Sequence, residues 1–165
     1  MEKFKNKYAI KSSRLEGYDY SQNGLYFVTI CTKDREELFG EIVNEKIILN
    51  DVGKVVQEEW LKTPIIRKDV FLDAWVIMPN HVHVIVGPMP QRTLPEILHS
   101  WKSYTAKFAN KRLGRSGTFW QAEYYDHVIR NAEEFAHGVR YIRENPAKAG
   151  LRDWPWVWVR GEEKT

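Results

Sequence analysis

A single cysteine, Cys31, stands in the whole chain. No internal disulfide can form, and the expected setting is a reducing one, the cytoplasm. No run approaches the roughly eighteen apolar residues of a membrane span, and the N-terminus lacks the apolar stretch of a secretion signal, so no membrane partner is expected. Internal repeats, low-complexity tracts and interdomain linkers are also missing, which leaves one domain over residues 1–165. That length suffices to bury a core without disulfides or a structural metal. Acid is missing locally. Residues 97–116 carry Lys102, Lys107, Lys111, Arg112 and Arg115 with no Asp or Glu, and residues 1–15 carry Lys3, Lys5, Lys7, Lys11 and Arg14 against Glu2 alone. Two basic zones in a chain of net charge +3 suggest an anionic partner, nucleic acid first. The plainer alternative is a solvated helix face and a loose basic arm.

What is present is a succession of short elements. After a polar arm over 1–23, Leu25 to Thr32 is β-branched and aromatic and reads as a strand. Leu38 to Leu49 reads as a hairpin turning at Asn44-Glu45. Asn50 can cap a helix with apolar positions Val52, Val55, Val56, Trp60 and Leu61, stopped by Pro64. Val70 to Met78 is the next strand, and Pro79-Asn80 turns it into a partner beginning at His81. Thr93 and Glu96, with Pro95 in the first turn, open a helix carrying Ile97, Leu98, Trp101, Thr105 and Phe108 on one side and ending near Gly114. Thr118 to Arg130 reads as loop then strand. Asn131 and Glu134 cap a last helix that Pro146 should break near Asn145. Leu151 to Val159 reads as a Trp-rich return segment over the core. With the hairpin and last helix set aside, the order is β-α-β-β-α-β, an α+β ferredoxin-like antiparallel sheet. Both crossover helices should cover one face of that sheet, leaving the other to hold a site.

Within this pattern, His81 and His83 share one face of a strand, because successive side chains alternate. Two imidazoles on adjacent same-face positions can grip one divalent ion, although an isolated His-x-His is more often a pair of half-exposed strand polars. In the last helix, Phe135, Val139 and Ile142 form the apolar stripe. Tyr141 lies roughly 100° or more away from it, on a line with His137 and Asn145 at spacings of four. A tyrosine placed only for packing belongs on the stripe.

The blocks Met78-Pro79-Asn80-His81-Val82-His83, Phe119-Trp120-Gln121 through Asp126-His127-Val128-Ile129-Arg130, and Tyr141-Ile142-Arg143-Glu144-Asn145-Pro146 resemble those of single-tyrosine HUH transposases of the insertion-sequence type. The likeness is greatest to REP-associated tyrosine transposases, which act on repetitive extragenic palindromes. Arg14 through Gly17-Tyr18-Asp19-Tyr20 and Tyr26-Phe27-Val28-Thr29 match the opening of that family, so the resemblance covers nearly the whole chain in order.

The resemblance implies a DNA strand transferase that cleaves and rejoins hairpin-containing single-stranded DNA through a 5′-phosphotyrosine. His81, His83 and Asn145 would hold a divalent metal, Mg²⁺ or Mn²⁺, and Tyr141 would be the nucleophile. The expected organisation is a basic arm (1–23), a ferredoxin-like core (24–130), a tyrosine helix (131–146) and a Trp-rich tail (147–165), with the monomer favoured over a helix-exchanged dimer. A phenol ordinarily ionises near pH ~10, so the nucleophile needs help at neutral pH. Arg14, Lys102, Lys107, Lys111, Arg112, Trp120 and Arg130 are the candidate DNA contacts, with core filling the alternative for Trp120. His127 is either a group behind the metal ligands or a structural histidine. Tyr124 and Tyr125 are rival nucleophiles or packing residues, His99 a helix-surface residue and Cys31 a small core residue. Two other functions fit the same residues: a non-catalytic nucleic-acid binder, and a metal-dependent DNA hydrolase using water.

Overall fold

The computed structural model describes residues 24–44, 46–66, 70–88, 93–151 and 157–159. Strands β1 (Leu25–Cys31), β2 (Gly40–Val43), β3 (Lys46–Leu49), β4 (Val70–Met78), β5 (His81–Pro88), β6 (Tyr125–Ile129) and β7 (Val157–Val159) alternate with helices α1 (Asp51–Ile66), α2 (Leu94–Leu113) and α3 (Ala132–Lys148). The main sheet has the order β6-β1-β5-β4-β7, with every neighbouring pair antiparallel. Without β7, the four strands stand in the 4-1-3-2 order of the ferredoxin-like unit. The β2–β3 hairpin forms a separate two-stranded sheet, turning at Asn44 with φ of 52°.

Alternation along the strands splits the apolar residues between two layers. Tyr26, Val28, Ile30, Trp75, Ile77, Val82, Val84 and Val86 pack beneath α1 and α2 with Val52, Val56, Leu94, Ile97, Leu98 and Trp101. Phe27, Ala74, Val76, Met78 and Ile85 face the other way, against Val139, Tyr141 and Ile142 of α3. The face expected to stand open is therefore roofed by the tyrosine helix. A register shift between Leu72 and Ala74 keeps the two layers separate: the extra residue lets Leu72 share a layer with Trp75, three positions on.

Helix starts follow the expected chemistry. Asn50 Oδ1 accepts from Gly53 N at 3.0 Å, Thr93 Oγ1 from Glu96 N at 3.3 Å, and Asn131 Oδ1 from Glu134 N at 2.8 Å. Two ends differ from expectation. α1 runs through Pro64 to Ile66 and α3 through Pro146 to Lys148. In each case the proline lies in the last turn, where it removes one backbone bond and few helical bonds remain beyond it to disrupt. Ala109 rather than Phe108 completes the buried side of α2, while Phe108 carries Arg112 over its ring at 5.1 Å. Of the tail, Val157–Val159 adds an edge strand to β4, Leu151 and Val159 are buried in the layer beneath α3 and Trp158 packs against the other layer, while residues 152–156 and 160–165 lie outside the described residues. Residues 1–23, with Arg14, and the side chain of Trp60 lie outside the described residues.

Candidate active site

β5 supplies the floor of the site. Its register sets His81 opposite Cys31 on one neighbour and Met78 on the other, and His83 opposite Thr29 and Val76. The two imidazoles stack edge to face with centroids 4.7 Å apart. His83 is wholly buried, and its Nδ1 lies 2.8 Å from Thr29 Oγ1. His81 Nδ1 lies 2.7 Å from Asn80 Oδ1. Asn80 in turn donates its Nδ2 to the Arg35 carbonyl at 3.0 Å, which fixes the direction of that amide.

α3 supplies the roof and runs antiparallel to β5. Gly138 rides over Phe27 and Ile85, where an added Cβ would come within 3.3 Å of a side-chain carbon of each. Three residues on, the Tyr141 ring stands edge-on to His83 at 5.2 Å and to Phe27 at 5.6 Å. One further turn advances about 6 Å, close to the ~6.6 Å that two strand residues cover from His83 to His81. These two advances would bring Asn145 level with the His81 end, and its side chain is wholly buried.

The helical wheel needs one correction here. Tyr141 does lie off the Val139/Ile142 line, yet it is buried, with only 5% of its surface exposed. Because Gly138 carries no side chain, the helix settles on the sheet with the lines on both sides of it turned inward. Gly138→Val should lift α3 and cost about 1–3 kcal/mol, measurable by chemical denaturation.

Neither amide atom of Asn145 has a hydrogen-bond partner among the described residues. Burying a polar group in that state costs about 1–3 kcal/mol. A cation held beside it would supply the missing partner for Oδ1, so the residues present fit a divalent metal. Among the described residues no group of three or more His, Cys, Asp or Glu is gathered to hold one, so the amide would be the third protein donor. Asn145→Leu should then leave the metal-free protein as stable as before, or up to about 3 kcal/mol more stable, while weakening Mn²⁺ binding. Thermal melts with and without Mn²⁺ measure both.

The remaining sequence candidates lie elsewhere. Lys102, Lys107, Lys111 and Arg112 belong to α2, on the opposite face of the sheet from the histidine pair. The Lys102 ammonium is held by the Gln121 carbonyl at 2.9 Å and lies 5.9 Å from the Tyr124 ring centroid. Burial lowers the Lys102 pKa from its ordinary value, while nearby Glu123 pulls it back up. Arg112 pairs with Asp51 at 3.1 Å. Trp120 is a core residue rather than a DNA-facing one: it packs against Trp101, Phe39 and Phe119, and its indole N–H donates to Thr105. Arg130 is half exposed at the start of α3, 4.0 Å from Glu134.

His127 shares the histidine face at the level of Phe27 and Ile85, one residue pair away from the His83 row, and sits 3.5 Å from Glu134. Tyr124 is buried with the α1/α2 layer, whereas Tyr125 lies in the row of Thr29 and His83. His99 is exposed and Cys31 buried. Thr29 and Gly138 carry no chemical signal in the sequence, since only the sheet register and the helix approach reveal what they touch.

A family profile described as "Transposase IS200 like" matches residues 20–145. The chain belongs to the IS200-like transposase family. An uncharacterized protein of Haemophilus influenzae is 34% identical to this transposase over 158 residues, covering 82% of this chain and 87% of that one. A REP-associated tyrosine transposase of Escherichia coli is 33% identical over 93 residues, 52% of each chain. The fold is shared with the structure of a REP-associated tyrosine transposase bound to a REP hairpin. That match has a TM-score of 0.62 and 24% identity, and covers 87% of this chain and 82% of that one. A putative transposase from Deinococcus radiodurans matches at TM-score 0.50 and 19% identity, over 81% and 96% of the two chains. Among the described residues no helix is long and apolar enough to cross a membrane.

Proposed function

We propose that this transposase cleaves and rejoins hairpin-bearing single-stranded DNA through a covalent tyrosine link, with Tyr141 as nucleophile and His81, His83 and Asn145 as holders of a divalent metal. The observation that carries the reading is the edge-to-face contact of the Tyr141 ring with His83, with Asn145 wholly buried one helical turn further along α3. A hairpin substrate is supported by family membership and by the hairpin bound in the structure of the same fold.

When bound, the metal would polarise the scissile phosphate and offset charge on its non-bridging oxygens. Mg²⁺ or Mn²⁺ would fill this role, and Mn²⁺ serves as the probe below. The chain does the rest. The Tyr141 phenolic oxygen forms a bond to phosphorus as the P–O3′ bond breaks, and the phenolic proton is balanced by the one taken up at the departing 3′ oxygen. The protein keeps the 5′ phosphate as a phosphotyrosine, and a 3′-OH can reverse the step to rejoin strands. Phe27 and His83 fix the tyrosine ring, so little rotational freedom is lost on reaction.

Incubation with labelled palindromic hairpins and Mn²⁺ should yield a protein–DNA adduct that survives denaturation and is lost with EDTA. A hydrolase would release cleaved strands without an adduct, and a pure binder would retain the hairpin uncut. In this reading the transposase is a monomer rather than a helix-exchanged dimer, which gel filtration would check.

A further inference from the structure

We propose that Asn80 and Thr29 are positioning residues that present the two histidines to the metal, an inference that rests on the reading of His81 and His83 as ligands. A neutral imidazole coordinates through the nitrogen that bears no proton, and the partner of the other nitrogen decides which one that is. For His81 the decision can be traced atom by atom. Asn80 Nδ2 is committed to the Arg35 carbonyl, so the atom facing His81 Nδ1 at 2.7 Å is the amide oxygen, which only accepts. His81 must therefore carry its proton on Nδ1, and its lone pair lies on Nε2. An imidazole left to water favours the opposite tautomer, so this form needs a fixed acceptor.

The acceptor is itself well anchored. Thr32 N donates to the Asn80 carbonyl at 3.0 Å and Phe39 N to that of Pro79 at 3.2 Å. Arg35, which receives the Asn80 amide, lies in a tight turn with φ of 54°. The segment from Thr32 to Phe39 thus clamps the β4–β5 hairpin turn, and through Asn80 it clamps the His81 ring. On the neighbouring strand, the Thr29 hydroxyl at 2.8 Å from His83 Nδ1 holds the second ring at its own level of the sheet. The pair is oriented from two directions, by the turn before β5 and by the adjacent strand.

The test uses ¹⁵N-histidine-labelled, metal-free protein, in which long-range proton–nitrogen spectra distinguish the tautomers, together with Mn²⁺ titration by calorimetry. In the parent protein His81 should show a protonated Nδ1. Asn80→Ala should shift His81 toward the Nε2–H form and weaken Mn²⁺ binding about 10- to 100-fold. Asn80→Asp keeps an acceptor but loses the donor to Arg35, and should retain the Nδ1–H signature. Thr29→Val should weaken Mn²⁺ about as much, and Thr29→Ser should restore it. Thermal melts identify any variant that fails to fold. Should Asn80→Ala leave both the nitrogen shifts and the Mn²⁺ affinity at parental values, the proposal is overturned. If the parent protein binds no Mn²⁺ while Asn80→Ala still shifts the tautomer, the metal reading fails and the orienting role of Asn80 stands.

Discussion

Tyr141→Phe should abolish the covalent adduct and lower strand cleavage by at least about a thousandfold, while hairpin binding is retained. The substitution removes one hydroxyl and leaves the ring, so the edge contacts with Phe27 and His83 persist. A buried hydroxyl is worth about 0.5–1.5 kcal/mol net, so the melting temperature should move by only a few degrees. The separation of effects is what matters. A structural tyrosine would lose stability and keep activity, whereas a nucleophile does the reverse. Gel-resolved adduct yield, cleavage rate and hairpin affinity on the same preparation give all three quantities.

The second large effect concerns the histidine pair. His81→Gln with His83→Gln should abolish measurable Mn²⁺ binding by calorimetry and depress cleavage by roughly a hundred- to ten-thousandfold, the scale of several kcal/mol of charge stabilisation. Glutamine keeps polar bulk in a position where His83 is wholly buried, which limits the cavity penalty. Hairpin affinity should change little. Unchanged Mn²⁺ affinity would place the metal away from β5.

Much of this arrangement is legible in the sequence, because it follows from period and capping. Alternation alone puts His81 and His83 on one face, and the caps at Asn50, Thr93 and Asn131 are visible as residue types at fixed spacings. The spacing of four that joins Tyr141 to Asn145 is equally local. What escapes is set by approach between elements. No local pattern reports that Gly138 lets α3 settle on Phe27 and Ile85, and this close approach buries Tyr141 although it lies off the apolar line.

Proline is a weaker stop signal than its type suggests, since at Pro64 and Pro146 the helix is already within its last turn. The basic run on α2 is likewise visible as composition. Its position opposite the histidines, with Lys102 tied to backbone carbonyls and Arg112 to Asp51, depends on which face α2 covers. Trp120 illustrates the same limit: its type suits DNA stacking and core filling alike, and only the ring of neighbours decides for the core.

The most direct measurement is to locate the DNA-linked residue by mass spectrometry after tryptic digestion of the adduct. Cleavage after Arg140 and Arg143 isolates Tyr141-Ile142-Arg143, whereas Tyr124 and Tyr125 fall together in the peptide from Ser116 to Arg130. The account predicts a 5′-phosphorylated nucleotide on the Tyr141 peptide, formed only with divalent metal. A nucleotide on the Ser116–Arg130 peptide, where Tyr125 shares the His83 row, would contradict it, as would cleavage of a bound hairpin with no linked peptide.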